Sequence, residues 1–150
     1  MREILKQRLL KHLEFLDEEI KFYPKFLQMT RSQYFEDRDL RRNVERWIEN
    51  IVNSSIDISK ILLSIENINL PDTYKEIVLF VSNIRELNFD KAEQISRWVR
   101  LRNILTHEYL DLRWASIQKF ISETGSLYKE FVERTNEYLE RKILEAEEKP

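Results

Sequence analysis

Cysteine is absent from this sequence, and only one glycine, three prolines and two histidines occur in it. Without cysteine there is no disulfide, no thiolate nucleophile and no Cys-ligated zinc, and His12 and His107 alone cannot build a histidine-rich metal site. No metal and no other cofactor is therefore expected. A single glycine argues against β-sandwiches, barrels and nucleotide-binding βαβ units, which need glycine at turns, bulges and phosphate loops. No apolar run approaches the roughly 20 residues that cross a bilayer. The opening MREILKQRLLKHLEF is amphipathic and has no signal-peptide core, so a cytoplasmic protein with no membrane partner is expected. Neither sign of charge dominates: 25 basic residues meet 27 acidic ones for a net charge of −2. A polyanion would have to be held by a local basic patch.

What remains is a chain of 150 residues that is 42% hydrophobic, 35% charged and has a mean hydropathy of −0.55. That apolar share is too large for a disordered polymer, and the length suits one domain, residues 1–150. Its periodicity is helical throughout. Leu5, Leu9, Leu13, Leu16, Ile20, Tyr23 and Leu27 form one stripe at steps of three and four. Pro24 falls inside that stripe and predicts a kink or break near Lys21. Thr30 and Gln33 have capping-box spacing. From Leu40 to Ile65, Val44, Ile51, Ile58 and Ile65 recur every seven residues, interleaved with Ile48, Ser55 and Leu62. Such a helix is either an internal spine or a dimer seam, and in a short domain the internal reading is favoured.

The stretch ENINLPD ends that helix, and Thr73 with Glu76 offers a cap for a short third one carrying Tyr74, Ile77, Val78, Val81 and Ile84 on its apolar side. Asp90 and Glu93 have capping chemistry for a fourth helix with the apolar face Ala92, Ile95, Trp98, Val99 and Leu105. Asp111 can cap a fifth segment bearing Leu112, Ile117, Phe120 and Ile121. The only glycine, Gly125, predicts a stop and restart before a terminal helix striped by Leu127, Phe131, Tyr138 and Leu139. The charged end from about residue 145 is expected to fray. The fold class that follows is an all-α, up-and-down bundle of five to six helices.

Histidine is the side chain that ordinarily titrates near neutral pH, so the search for acid–base chemistry is short. His12 has only ordinary surface neighbours. His107 ends a segment with three arginines, Arg97, Arg100 and Arg102, and no acid between Gln94 and His107. That cationic surface suits a phosphate group, although arginine in a last helical turn also complements the helix dipole. Asn103 and His107, four apart, share a helix face, so the amide can orient the imidazole. Arg102 and His107 are five apart, roughly 140° around an ideal helix. They converge if the helix ends between them or if a second copy of the chain completes the site.

RNILTHEY, Arg102 to Tyr109, resembles the signature of HEPN domains, in particular the HepT-like toxin branch: arginine, polar residue, three-residue gap, histidine, any residue, tyrosine. RRNVERWIENIVNSSIDISKILLS resembles that branch's long second helix and LPDTYKEIV its proline-led third, so the similarity runs from about Leu5 to Ile121. Nothing after about Ser122 matches a motif. The resemblance implies a helical homodimer whose two motifs line one cleft, and a metal-independent endoribonuclease toxin in a type VII-like toxin–antitoxin pair. Carried over, Arg102 and His107 are the catalytic pair and Asn103 is the polar residue that supports them; Arg97 and Arg100, by their charge, are expected to bind RNA phosphate. The implied partner is a minimal nucleotidyltransferase antitoxin that silences the toxin by moving AMP onto the motif tyrosine, here Tyr109. Two other functions compete: a catalytically silent HEPN-like bundle that binds a nucleotidyltransferase, and a plain helical interaction module.

Overall fold

Pro24 breaks the first stripe where the spacing predicts. In the computed structural model, which describes residues 2–148, α1 (Glu3–Ile20) ends at Lys21 and α2 (Tyr23–Leu27) restarts with the proline in its first turn, where its missing N–H costs nothing. The restart changes the register. Phe26 turns inward and Leu27, expected in the core, is 58% exposed. α3 (Arg31–Glu36) opens on the complete Thr30/Gln33 capping box, and α4 (Arg38–Ile65) starts at Asp37, whose carboxylate accepts from the Leu40 N–H at 3.1 Å.

The seven-residue stripe of α4 is internal. Val44, Ile48, Ile51, Ser55, Ile58 and Leu62 have no exposed surface, because α1 and α5 (Tyr74–Phe80) pack over them. These six positions are covered within one copy and so are not a dimer seam; Ile65, the last of the stripe, is partly buried. Asn67 ends the helix in the left-handed conformation (φ 57°), and the Ile68 N–H bonds back to the Leu63 carbonyl at 2.9 Å. Asparagine thus takes the turn position that glycine usually fills.

Thr73 caps α5 by accepting from the Glu76 N–H, and two short 3₁₀ turns, Val81–Asn83 and Arg85–Leu87, lead to Asn88. The expected fourth helix is broken: α6 (Ala92–Arg97), a 3₁₀ turn (Trp98–Arg100) and α7 (Leu101–His107). Its N-cap is Lys91, with no side-chain bond, so the Asp90 cap does not form. α8 (Leu110–Glu148) is continuous for 39 residues, through the stretch expected to fray and as far as the described residues reach. Asp111 lies inside its first turn, paired with Arg31 at 3.0 Å, and is not its cap. Leu112 is 55% exposed and outside the core.

The stop expected at Gly125 also does not occur. A left-handed glycine would be needed to end the helix, and Gly125 has no positive φ; it continues α8 where that helix passes the Tyr23 ring. Thr124 beside it hydrogen-bonds the Tyr23 hydroxyl at 2.6 Å.

Joining the broken pieces gives six helical units, with no strand among the described residues. The fold is an all-α bundle. An aromatic chain binds it: Tyr23 meets Trp47 edge-on at 4.7 Å, Trp47 meets Phe120 at 6.1 Å, and Phe120 meets Trp98 at 5.4 Å. This chain fixes the 3₁₀ turn that precedes α7 against α8.

Candidate functional site

α7 is two turns long and buries only Leu101 and Leu105. Its polar positions face outward into an open cleft of about 640 Å³ between α7, α4 and α5. Arg102, Asn103, Thr106 and His107 form the α7 wall, with Arg100 beside them; Glu49 and Asn53 of α4 and Tyr74 and Lys75 of α5 form the opposite wall. On a helix, positions 102, 103, 106 and 107 span an arc of roughly 140°. Arg102 and His107 therefore sit at the two edges of one face turned to one cleft. The helix ends after His107 rather than between the two residues, and a single copy of the chain brings both to the same opening.

Arg102 is held from beneath. Its guanidinium lies 5.0 Å from the centre of the Tyr74 ring, and the Lys60 ammonium lies at the same distance from that ring. Tyr74 is 47% exposed and belongs to this wall, not to the apolar side of α5. The Thr106 hydroxyl donates to the Arg102 carbonyl at 2.9 Å, inside the helix. Asn103 and His107 are both exposed, and among the described residues neither makes a side-chain hydrogen bond, so the amide does not orient the imidazole here. Of the three sequence arginines, Arg97 lies outside this cleft and pairs with Glu93 at 2.8 Å. The absence of acids from residues 94 to 107 thus does not make the surface free of them: Glu93 reaches Arg97, and Glu49 enters from α4. His12, half-buried on α1, lines no part of the cleft.

Tyr109 lies in the turn between α7 and α8 and is 86% exposed. Its carbonyl accepts the first bond of α8, from Arg113 N–H at 3.0 Å. Arg113 in turn donates through Nε to Glu45 of α4 at 3.0 Å, and Tyr34 of α3 donates to the same carboxylate. Burial alone would lower the Arg113 pKa; the hydrogen bond and charge of Glu45 outweigh it and push the value up. The backbone of the Tyr109 turn is anchored while its ring stands in solvent.

Glu49, Asn53, Tyr74 and Lys75 are the wall residues that the sequence did not single out. Glu49 and Asn53 stand four apart on the edge of the α4 stripe, a polar pair on a helix whose apolar face is already complete, and that was the available signal.

An all-helical bundle whose motif arginine and histidine line one cationic cleft, with an exposed tyrosine in the turn that follows, defines a narrow class of helical domain. A family model described as "Ribonuclease HepT-like" matches residues 16–135, about four-fifths of the chain. The chain belongs to that HepT-like ribonuclease family. The match begins later than the residue resemblance suggests and carries on past Ile121 along α8 to residue 135, so part of the region without a recognisable motif is also family structure. No curated protein matches the chain. No helix among the described residues is long and apolar enough to cross a membrane.

Proposed function

We propose that this chain is an endoribonuclease that needs no metal, with Arg102 and His107 as catalytic residues. The observation that carries the reading is the shared cleft: the two residues of the arginine–histidine motif border one open, cationic cavity, and Tyr109 stands exposed in the turn two residues after His107. RNA contains its own nucleophile, so a base that takes the 2′-hydroxyl proton and a cation on the non-bridging oxygens are sufficient. The 2′-oxygen attacks phosphorus, the bond from phosphorus to the 5′-oxygen breaks, and that oxygen takes a proton. The products are a 2′,3′-cyclic phosphate and a 5′-hydroxyl. His107 serves a proton transfer, Arg102 steadies the crowded phosphorane, Asn103 supports them, and Arg100 and Arg97 draw in the phosphate chain. In a homodimer the second copy supplies the second histidine.

The same reading makes Tyr109 a control point. A minimal nucleotidyltransferase acting as antitoxin transfers AMP from ATP to the tyrosine hydroxyl, and pyrophosphate leaves. The adduct places bulk and negative charge two residues from His107, where substrate phosphate has to sit.

Purified protein free of AMP is expected to cleave RNA in the presence of EDTA and to leave cyclic-phosphate ends. A protein that is inactive on RNA in that state would return the reading to a silent bundle that binds a nucleotidyltransferase. Tyr109→Phe keeps the ring and removes the acceptor oxygen. The variant is expected to fold and cleave as wild type yet to gain no adenylyl mass from the antitoxin and ATP. Modification of this variant to the wild-type extent removes Tyr109 as acceptor.

A further inference from the structure

A second cleft, of about 620 Å³, opens on the α8 side of the same ridge. The 3₁₀ turn Trp98–Arg100 is responsible, because three residues per turn send consecutive side chains to three different sides. Val99 points to the first cleft, Trp98 to the second, and Arg100 stands at the crest and lines both. α8 supplies the far wall with Lys119 and Glu123. Arg97 is present but already paired with Glu93. Arg100 and Lys119 are exposed, and among the described residues neither forms an ion pair. Trp98 is half-buried, one part packed edge-on against Phe120 and the rest lining the cavity.

A cationic groove with an aromatic wall is the composition that holds a single nucleic-acid strand, with phosphates on the cations and a base on the ring. Its volume lies within the range of small-ligand sites, and so accommodates a nucleotide. Continuity through Arg100 ties it to the first cleft. We infer that one RNA strand crosses the ridge at Arg100: the scissile phosphate lies in the first cleft, and a neighbouring nucleotide lies in the second, its phosphate on Arg100 and Lys119 and its base against Trp98. The inference rests on the nuclease reading and deepens it. The preferred substrate is then single-stranded RNA, because a duplex cannot give a free base to Trp98, and only a strand longer than a dinucleotide gains binding from the second cleft.

Two measurements test it, on the full chain. A non-cleaving His107→Ala protein is titrated with an oligoribonucleotide and its tryptophan fluorescence is followed; quenching is expected, and Trp98→Phe, which keeps a ring against Phe120, is expected to abolish it. In the wild-type background Lys119→Glu is expected to weaken oligoribonucleotide binding about ten-fold and to reduce the salt dependence by about one ion, while cleavage of a dinucleotide stays at the wild-type rate. Quenching that persists in Trp98→Phe, or equal loss on both substrates in Lys119→Glu, overturns the strand path alone. A fall in solution mass on Lys119→Glu also overturns it, because the cleft is then covered by a second copy. Absence of RNA binding by His107→Ala together with absence of cleavage by wild type removes the nuclease reading and this inference with it.

Discussion

α4 and α7 do opposite things with the same helical geometry. α4 runs for 28 residues and turns thirteen of them into the core, among them Val44, Ile51 and Leu62, which have no exposed surface. α7 runs for seven and buries two, Leu101 and Leu105, only enough to seat it on the bundle. A residue on α4 is chosen by its neighbours' volume; a residue on α7, such as Asn103 or His107, is free of packing and can be chosen by what it does to a substrate. Stability and chemistry are thus carried by different helices, and the two can be perturbed separately.

The sharpest way to break the comparison is a pair of substitutions. Ile51→Ala leaves a cavity at a fully buried position of the core and is expected to cost about 2–5 kcal/mol in urea unfolding, with cleavage falling only as folded protein is lost. His107→Ala is expected to lower cleavage about 10²–10⁴-fold while the urea midpoint stays unmoved. An α7 substitution that unfolds the protein, or an α4 one that spares stability and stops catalysis, would end the division of labour.

A smaller effect is expected where the regions meet. Tyr74→Leu removes the ring under Arg102, a contact worth about 0.5–1 kcal/mol at an exposed site, and should slow cleavage a few-fold. Tyr74→Phe keeps the ring and should restore the wild-type rate. If phenylalanine fails as badly as leucine, the hydroxyl and not the ring matters. The smallest effect belongs to Gly125. A Cβ there would stand 3.5 Å from Tyr23 Cδ1, an ordinary contact, so Gly125→Ala is expected to raise stability by about 0.5–1 kcal/mol through better helix propensity, visible as a higher melting temperature.

The stripes and caps that pack the chain were readable before the structure: the α4 heptads, the Thr30/Gln33 and Thr73 caps, and the break before Pro24 each follow from local physics. Failures cluster where tertiary contact overrides a local signal. Gly125 stops nothing because α8 is held by Tyr23 and the core on both sides of it. Asp90 and Asp111 have the chemistry of caps, but each helix begins where packing places it. Leu27 left its stripe because Pro24 reset the register, and Tyr74 looked like core because an aromatic on an amphipathic helix usually is. The motif gave Arg102, His107 and Tyr109, but the opposite wall could not be read: Glu49 and Lys75 lie 26 residues apart in sequence, and only folding brings them to one cleft.

The hydrogen bond between Tyr23 and Thr124 closes a span of 101 residues, and α1 also packs along α8. A chain emerging from the ribosome has made the motif at residues 102–109 well before it has made the strut behind it. At about 5–20 residues per second, the segment from Tyr109 to Leu139, the last buried residue of α8, takes on the order of seconds to follow. For the first part of that interval Trp98 has no Phe120 to rest on, and for all of it the ridge that carries Arg102 and His107 lacks part of its back. Order of synthesis therefore delays the backing of the cleft until α8 has followed the motif.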